Sequence, residues 1–382
     1  MRVAVFADSY RPYLSGVVRS LETFLPRLRE RGVESHVFAP HYPGVKREEG
    51  VYRFFSLPAP AGGGFRVALP LSPRLLPTLR RVGPRLVHLH SPFMLGRAGR
   101  KAGRRLGLPV IFTYHTFYHL YTHYTPLALY LPLLERKAEK TVLRYTISFA
   151  SSCDAVIAPS ESLARFLRSS GLDVPIHVIP TGIEPAFFRG GNPSWLQERG
   201  VDFSPVLLYV GRLGWEKNVH LTLEVLRQVK ETFPSAGLVL AGGGPLLPRL
   251  RSLARRMGLG RSVCFLGRVA PEELKHLFAS SQVLVFPSTT ETQGLVLLEA
   301  LAAGIPVVAA RAPGAVDVIE DGRNGLLSPP EAGEMARRVV LLLSRPELGL
   351  SLAGEGKKTA EEFSASRQAE KLHEVYRELA RA

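Results

Sequence analysis

Short apolar runs rich in β-branched residues alternate with segments of helical periodicity along most of the chain. This alternation is typical of βαβ units, in which helices join parallel strands. In the first half the pattern predicts strands that begin at Val3, Ser35, Leu86, Val110, Ala155 and His177. In the second half it predicts strands that begin at Val206, Gly237, Ser262, Gln282 and Pro306. Each series is long enough to form one doubly wound parallel sheet.

A stretch rich in Pro and Gly, EPAFFRGGNPSW, follows Ile183 and separates the two series. We therefore expect an α/β protein with two Rossmann-like domains, residues 1–182 and 183–363, joined by a linker. The carboxyl ends of their strands, where such sheets bind ligands, are expected to face a common cleft. The chain is helical in pattern from about Glu331, and a last helix at about residues 364–382 is expected to pack back on the first domain.

Composition excludes several classes of protein. Apolar residues make up 46% and charged residues 21%, which is ordinary for a folded globular chain and unlike a disordered one. Cys153 and Cys264 lie in apolar stretches without a CxxC partner, so neither a disulfide framework nor a structural zinc site is expected. Asp8 follows a short apolar run, and no run reaches the roughly 18 residues of a membrane span. We expect a cytoplasmic protein without a signal peptide.

The formal net charge of +16 is unevenly distributed. Residues 62–145 contain fourteen Lys or Arg and two acidic residues, which indicates an anionic partner for this segment. Its cations form two groups: Arg97, Arg100, Lys101, Arg104 and Arg105, and Arg136, Lys137, Lys140 and Arg144. The second group adjoins the apolar run LALYLPLL, as in helices that lie in a membrane interface. We expect peripheral docking on the inner face of the membrane, and a solvated cationic surface is the alternative.

The segment VLLYVGRLGWEKN, residues 206–218, runs from a strand through a loop into a helix start. Gly211 allows the chain to turn at the strand end. Arg212 can present a bidentate fork to a phosphate, and Lys217 can present a point charge. Two ordinary surface cations are the alternative interpretation.

A second segment, VFPSTTETQGLVLLEALAAGIPVVAA, spans residues 285–310. The backbone amides of Gly294, Leu295 and Val296 would begin a helix and form an anion site. Glu299 lies on an otherwise apolar helix, where a carboxylate is costly to bury unless hydroxyl groups or other donors meet it. We therefore expect a ribose or sugar partner for Glu299, and a solvated helix edge is the alternative.

These motifs together resemble a known family. GRLGWEKN, followed about 75 residues later by two glutamates eight positions apart, Glu291 and Glu299, is similar to the signature of retaining nucleotide-sugar glycosyltransferases of the GT-B fold, family 4. The segments ADSYRPYLSGVVRSLETFLPRLRERG, CDAVIAPSESLARFL and VIPTGIE also resemble this family, so that the match covers nearly the whole chain. The resemblance implies metal-independent transfer of a hexose from a nucleotide-sugar, with UDP favoured by its frequency in the family.

The resemblance also implies roles for individual residues. Arg212 and Lys217 would neutralise the donor diphosphate, which a divalent metal does in other transferases. The amides of Gly294, Leu295 and Val296 would bind the same phosphates. Glu299 would accept hydrogen bonds from the ribose, and Glu291 would hold hydroxyl groups of the donor sugar.

Further residues are implied around the donor. Gly16 would allow the first loop to approach the reacting centre, because it has no side chain. Arg268 and Val269 would lie beside the nucleobase, and His115 would lie beside the donor sugar. No cofactor is expected, since the nucleotide-sugar is a substrate.

An aromatic and imidazole cluster, TYHTFYHLYTHY, surrounds His115. It resembles a segment of diacylglycerol glucosyltransferases, which implies that the acceptor site is lined by Tyr118, His119, Tyr121 and Tyr124. A zinc site formed by His115, His119 and His123 is a weaker alternative, because the segment has no acidic partner and opens as a strand end. We therefore expect a glycolipid synthase that transfers a hexose to a membrane lipid such as diacylglycerol.

Three alternatives differ in class or acceptor. The chain could be a family 4 transferase that acts on a soluble or phosphorylated acceptor. A non-hydrolysing nucleotide-sugar epimerase shares the two-domain architecture but is expected to lack the GRLGWEKN arrangement. A nucleic-acid-binding protein would use the basic segment, yet the chain has no RRM, KH or zinc-finger pattern and the glutamate motif would stay unexplained. We therefore expect no nucleic-acid partner.

Overall fold

The computed structural model of the chain describes residues 1–13, 15–59, 64–70, 73–120 and 132–381. It forms two compact units. Unit 1 comprises Met1–Gly182 and Ala365–Ala382, and unit 2 comprises Ile183–Ser364.

Unit 1 is built on a parallel sheet. Its strands are β1 (Arg2–Phe6), β2 (Glu34–Pro40), β3 (Val51–Phe54), β4 (Ser56–Pro58), β5 (Arg66–Ala68), β6 (Leu86–Leu89), β7 (Val110–Thr113), β8 (Ala155–Ala158) and β9 (Ile176–Val178). Its helices are α1 (Gly16–Glu30), α2 (Leu75–Val82), α3 (Met94–Arg105), α4 (Pro132–Ser151), α5 (Glu161–Ser169) and, from the end of the chain, α12 (Ala365–Leu379). Seven strands pair in the order β3-β2-β1-β6-β7-β8-β9, and β4 and β5 form a separate antiparallel pair. Between β1 and β6 the strand order reverses its direction.

Both faces of this sheet are covered, which explains the continuous apolar runs of its strands. On one face Phe6 stacks on Phe38, with ring centroids 4.5 Å apart. On the other face Val5 joins one buried cluster with Leu21 of α1 and Leu372 of α12. The last helix of the chain therefore completes the core of unit 1.

Helix α3 lies close to the sheet because glycines face it. A Cβ atom at Gly99 would come within 2.6 Å of Cγ of Phe6, and one at Gly103 within 2.9 Å of Cγ2 of Val110. The glycines of GRAGRKAGRR are therefore a packing surface, which leaves the cations of this segment on the rest of the helix.

Unit 2 repeats the architecture. Its strands are β10 (Val206–Val210), β11 (Gly237–Ala241), β12 (Val263–Gly267), β13 (Val283–Phe286), β14 (Val307–Ala310) and β15 (Leu326–Ser328). Its helices are α6 (His220–Thr232), α7 (Leu247–Arg256), α8 (Leu274–Ala279), α9 (Leu295–Ala303), α10 (Ala332–Ser344) and α11 (Pro346–Glu362). All six strands are parallel, in the order β12-β11-β10-β13-β14-β15, and the order reverses between β10 and β13.

The eleven strands expected from the pattern are all present, and the fold class is confirmed. Four strands of the described structure were not predicted: β3, β4, β5 and β15. Three of them contain only three residues, too few to show a period, and β3 and β15 are edge strands of their sheets. Pairing with a partner strand makes such segments strands: β3 pairs with β2, β15 with β14, and β4 with β5.

The expectation of a simple linker after Ile183 is wrong. Pro185–Phe188 forms a 3-10 helix, and the side chains of Phe188, Trp195 and Leu196 are buried in the main core of unit 2. Breaker residues here shape a segment that is packed into the domain, because its apolar side chains find a core.

Candidate active site

The switch point of unit 2 brings two distant predicted residues into contact. Lys217 follows β10 and Glu291 follows β13, and Nζ of Lys217 donates to Oε1 of Glu291 at 2.7 Å. The side chains are 12% and 26% exposed, so the ion pair lies at the surface of the sheet edge and is partly shielded from water. Loops that diverge from neighbouring strands at such a point form the usual ligand site of open α/β sheets.

Further bonds join the two loops. The hydroxyl group of Thr290 donates to the carbonyl of Glu216 at 3.0 Å, and Nδ2 of Asn218 donates to the carbonyl of Pro287 at 3.3 Å. Asn218 has a φ of 51°, which ends the 3-10 turn Trp215–Lys217 and turns the chain toward α6. The position of Lys217 is thus held by both loops.

Arg212 is placed by a buried tyrosine. The hydroxyl group of Tyr209, a residue 1% exposed, donates to the carbonyl of Arg212 at 2.9 Å. Burial raises the pKa of Tyr209 well above its usual value, and the carboxylates of Glu291 and Glu216 raise it further. The hydroxyl group therefore stays a donor, while the side chain of Arg212 is exposed at this edge.

A glycine loop that the sequence analysis overlooked lies beside Arg212. Gly242, Gly243 and Gly244 follow β11, and a Cβ atom at Gly242 would come within 1.8 Å of the carbonyl oxygen of Gly211. The amide of Leu213 donates to the carbonyl of Gly243 at 3.0 Å. Three consecutive glycines directly after an apolar strand were the available signal, since such loops let a ligand approach the backbone.

The predicted base neighbours lie on the same edge. Arg268 follows β12 and is exposed, with its side chain 3.6 Å from the position of a Cβ atom on Gly243. Val269 is half-buried against the core of unit 2. The structure thus places Arg268 beside the glycine loop and Val269 beneath the edge.

Helix α9 begins at the predicted anion site. Gly294, directly before the helix, has a φ of 72° and no side chain with which to cap it, and Leu295 and Val296 are its first residues. The first amides of a helix have no partner within it and carry the positive end of its dipole. A Cβ atom at Gly314, after β14, would come within 2.7 Å of the carbonyl of Glu291, so this loop packs tightly on the helix start.

Glu299 lies in the second turn of α9 and is 4% exposed. The alternative of a solvated glutamate at a helix edge is therefore wrong in this structure. A buried carboxylate needs donors that satisfy it, which is the property expected of a residue that receives hydroxyl groups.

In unit 1 a carboxylate occupies the switch point. Asp8, after β1, accepts a hydrogen bond from the amide of Leu95 at 2.8 Å and another from the hydroxyl group of Ser91. Leu95 belongs to the first turn of α3, so Asp8 caps the helix whose position at the switch point corresponds to that of α9. Burial raises the pKa of Asp8, although both hydrogen bonds act to lower it.

Gly16 is the first residue of α1, where the hydroxyl group of Ser15 accepts from the amide of Val18 at 3.3 Å. A Cβ atom at Gly16 would have no neighbour within 4 Å in the described structure. Packing within the protein therefore does not require a glycine at this position.

His115 is bonded to a second histidine. Its Nε2 atom lies 2.8 Å from Nδ1 of His90, and His88 lies next to His90 with ring centroids 4.1 Å apart. Burial lowers the pKa of His88 and of His115 to about 3, and lowers that of His90 well below its usual value. All three rings are neutral at pH 7, and His88 and His90 were not singled out from the sequence.

The predicted acceptor residues separate into two aromatic groups. The ring of Tyr118 meets that of Phe93 edge-to-face at 5.3 Å, and Phe93 is 40% exposed. The ring of His119 instead stacks on Phe166 at 5.3 Å. Tyr121, His123 and Tyr124 lie outside the described residues. Phe93, an exposed aromatic residue directly before α3, is a candidate acceptor-site residue that the sequence pattern did not indicate.

The cations of α3 differ in their surroundings. Arg100 donates to the hydroxyl group of Ser152, and Arg104 forms an ion pair with Asp154 at 2.9 Å. Lys101 and Arg105 are exposed, and no described residue pairs with them. Two of the predicted cations therefore hold α3 to the end of α4, and two are available to solvent.

Helix α4 presents a second cationic face. Lys137, Lys140 and Arg144 are exposed and share one side of the helix with Thr141, where they line an open groove. No carboxylate among the described residues forms an ion pair with these three cations.

Two features are absent from the described residues. No three His, Cys, Asp or Glu side chains among them gather in a way that could hold a metal ion. No helix in the described part of the chain is long and apolar enough to cross a membrane.

The second unit has cations, glycine turns and a helix start at the switch point of a parallel sheet, which is the arrangement typical of the class of nucleotide- and phosphate-binding α/β proteins. Comparison with known proteins narrows this class. Residues 14–187 match the family described as Glycosyltransferase Family 4, and residues 197–359 match Glycosyl transferases group 1. The chain belongs to the family 4 glycosyltransferases, and its fold is GT-B.

Individual relatives differ in what their names describe. The chain is 32% identical to the alpha-monoglucosyldiacylglycerol synthase of Streptococcus pneumoniae, over 98% of this chain and 85% of that protein. It is 30% identical to a GDP-mannose-dependent alpha-mannosyltransferase of Corynebacterium glutamicum, over 86% of this chain and 76% of that protein. The crystal structure of HepE from Anabaena in complex with UDP has the same fold, with a TM-score of 0.79, 23% identity and coverage of 99% of this chain and 100% of the other.

Proposed function

We propose that the chain is a retaining, metal-independent glycosyltransferase that transfers a hexose from a UDP-sugar to a membrane lipid such as diacylglycerol. The observation that carries the donor half is the contact of Lys217 with Glu291 at the switch point of unit 2. It supports a site in which a cation and a carboxylate lie side by side. The cation suits a diphosphate, and the carboxylate suits the hydroxyl groups of the attached sugar.

The surrounding residues support the same donor. Arg212 adds a second positive charge, and the start of α9 at Gly294 adds backbone amides and a helix dipole. These groups stabilise negative charge where the leaving diphosphate develops it, and no metal ion is needed for that purpose. Buried Glu299 suits the paired hydroxyl groups of a ribose.

The proposed reaction breaks the bond between the anomeric carbon of the sugar and the diphosphate oxygen. The acceptor hydroxyl oxygen forms its bond to the same carbon from the same face, and its proton passes to the departing diphosphate. Configuration is thereby retained, and the products are UDP and the glycosylated acceptor. Arg212 and Lys217 lower the barrier by holding the charge of the diphosphate.

The acceptor half rests on similarity and on surface charge. The similarity to the alpha-monoglucosyldiacylglycerol synthase extends over 98% of this chain, so it includes the aromatic segment around Tyr118. The cations of α4 face solvent without described carboxylate partners, as do Lys101 and Arg105. Each cation near an anionic membrane contributes about 1 kcal/mol of attraction, which favours peripheral binding at the inner face of the membrane.

One experiment tests donor and acceptor together. Purified protein is incubated with labelled UDP-glucose, UDP-galactose, UDP-N-acetylglucosamine or GDP-mannose and with diacylglycerol in anionic vesicles, with and without EDTA. We expect lipid-soluble label from one UDP-sugar, undiminished by EDTA, and an α-linkage from an α-linked donor by NMR. Loss of transfer in EDTA, or inversion at the anomeric carbon, would contradict the corresponding part of the proposal.

Membrane binding is tested with a charge-matched pair of variants. Replacing Lys137, Lys140 and Arg144 with Gln should weaken binding to anionic vesicles by at least tenfold and leave UDP binding unchanged. The control replaces three exposed cations of unit 2, Arg255, Arg256 and Arg261, and so removes the same charge. Equal losses in both variants would indicate a general charge effect, and the docking proposal would then be wrong.

A second candidate is a transferase for a soluble or phosphorylated acceptor. The observation that favours it is the 30% identity to a GDP-mannose-dependent alpha-mannosyltransferase. Transfer from GDP-mannose, or from a UDP-sugar to a sugar phosphate or phosphatidylinositol but not to diacylglycerol, would establish this candidate in place of the first.

A further inference from the structure

His90 lies directly after β6 and contacts His115, the histidine that the resemblance to family 4 glycosyltransferases implies beside the donor sugar. It is 4% exposed, and its amide donates to the carbonyl of Phe6 in β1 at 2.8 Å. Its Nδ1 atom lies 2.8 Å from Nε2 of His115. The backbone of His90 is therefore held by the sheet, and its ring is joined to His115.

The ring of His90 packs against two other imidazole rings, with centroids 4.1 Å away for His88 and 5.1 Å away for His115. His88 is itself bonded through both nitrogens, to Oη of Tyr376 at 2.6 Å and to Oγ1 of Thr113 at 2.7 Å. Since both nitrogens of His88 are engaged, its ring cannot turn freely, and it limits the motion of His90.

The hydrogen bond couples the tautomers of the two rings. Burial keeps both rings neutral at pH 7, and a neutral imidazole has one N–H donor and one acceptor nitrogen. If His90 donates from Nδ1, Nε2 of His115 accepts and His115 carries its proton on Nδ1. If His90 accepts at Nδ1, both rings carry their protons on Nε2. In either case the two histidines share one tautomer.

We propose that His90 is a positioning residue, whose hydrogen bond to His115 fixes the ring orientation and the tautomer of that histidine. Through this bond the tautomer of His90 sets which nitrogen of His115 carries its proton, and hence the hydrogen bonds that His115 can make to the sugar. The statement about the sugar rests on the proposed function. The coupling of the two rings does not.

NMR of the full chain with ¹⁵N-labelled histidine tests the coupling without any substrate. The nitrogen shifts and their couplings to ring protons report the tautomer, and the spectra of His115→Gln and His90→Asn assign the two rings. We expect one tautomer, the same for both rings, in the wild-type chain. Opposite tautomers would overturn the proposal, and the tautomers are read from the wild-type chain without any substrate.

Three variants separate positioning from general structure. His90→Phe keeps a ring but removes the hydrogen bond, and we expect the His115 signals to shift toward a tautomer average. His90→Asn offers an amide near the position of Nδ1 and should restore most of the wild-type behaviour. Thr359→Val removes a hydrogen bond to Nδ2 of Asn324 in unit 2 and serves as the control, with His115 signals unchanged. Unchanged His115 signals in His90→Phe would overturn the proposal.

Kinetics test the consequence at the sugar. In His90→Phe we expect kcat to fall about tenfold, as for one lost hydrogen bond, with the Kd for UDP unchanged, and His90→Asn should recover within about threefold. An equal loss of UDP affinity would indicate a general structural defect and overturn the role. An inactive wild-type chain with intact ring coupling would overturn the proposed function and leave the pairing of His90 with His115 standing.

Discussion

The two units form the same kind of switch point and occupy it differently. In unit 1 a helix start is capped by the unit itself, since Asp8 accepts from the amide of Leu95 in the first turn of α3. In unit 2 the residue before α9 is Gly294, which has no side chain to place there. A helix start attracts an anion in either case. The protein supplies that anion in unit 1, whereas in unit 2 the position suits one from outside.

The two units also differ in the charge of the side chains near their switch points. The nearby groups of unit 1 are neutral histidines, whose pKa values burial lowers, and Asp8, whose pKa burial raises. Unit 2 keeps a cation and a carboxylate, Lys217 and Glu291, in contact and partly exposed. Fold similarity alone therefore does not assign ligand chemistry, because the residues at the strand ends decide it.

The largest expected effect is that acid destabilises unit 1 more than unit 2. Unfolded histidines take up protons near pH 6.5, whereas the folded unit keeps His88 and His115 neutral to a pKa of about 3. Between these values the unfolded state binds more protons, so stability falls as the pH falls. Each histidine that stays neutral in the folded unit lowers its stability by about 1.4 kcal/mol for every pH unit below 6.5. Asp8 acts in the opposite direction, because its raised pKa favours the folded state in acid.

The two units can be followed separately in this experiment. Both tryptophans, Trp195 and Trp215, belong to unit 2, so that their fluorescence reports its unfolding in denaturant. Hydrogen exchange of β6 and β7 reports unit 1. We expect the stability of unit 1 to fall between pH 6.5 and 5 while that of unit 2 changes much less. Parallel losses in both units would contradict the comparison.

Removing the cation of the Lys217–Glu291 pair in unit 2 should abolish most of the transfer activity. Lys217→Ala is expected to lower the transfer rate about 100-fold or more, because the leaving diphosphate loses a preorganised positive charge. The melting temperature should change little, since the ion pair is partly exposed. Arg337→Ala, which breaks an exposed ion pair with Glu334 in the same unit, is the control. A Lys217→Ala rate within twofold of the parent would remove Lys217 from the donor site.

Glu299→Gln tests whether the buried carboxylate of unit 2 binds the nucleotide. We expect the affinity for UDP, measured by calorimetry, to fall about tenfold, because the amide cannot accept as strongly as the carboxylate from two hydroxyl groups. The substitution nearly preserves the shape of this buried side chain. Glu347→Gln, at an exposed position, should leave the affinity unchanged. Unaltered UDP affinity in Glu299→Gln would contradict a ribose role.

The smallest effect concerns Gly16. A Cβ atom at this helical position meets no described atom within 4 Å, so Gly16→Ala should keep or raise stability, by at most about 1 kcal/mol, through better helix propensity. Transfer activity should nevertheless fall several-fold if a substrate approaches this backbone. Gly354→Ala, at another helical glycine with no neighbour within 4 Å, is the matched control and should leave activity unchanged. Full activity in Gly16→Ala would exclude a close approach.

The sequence was sufficient for eleven strands, because their short apolar runs alternate with segments of helical period. It also singled out Lys217, Gly294 and Glu299 as candidate donor-site residues, since they lie in short local segments. It was insufficient for three-residue strands such as β15. It was also insufficient for the stretch after Ile183, whose Pro and Gly residues indicated a linker although its apolar side chains are buried in the core of unit 2.

Tertiary structure alone decided which side chains meet. No local pattern indicated that Asp8 caps α3, that His90 pairs with His115, or that Arg104 is bound to Asp154. These contacts join residues that are 25 to 87 positions apart, and they depend on strand order and register. The amino-acid sequence by itself determined most of the elements and the family, because both depend on residues close together along the chain. The pairing of charges and rings depended on the sheet, because only the sheet brings their separate loops to one edge.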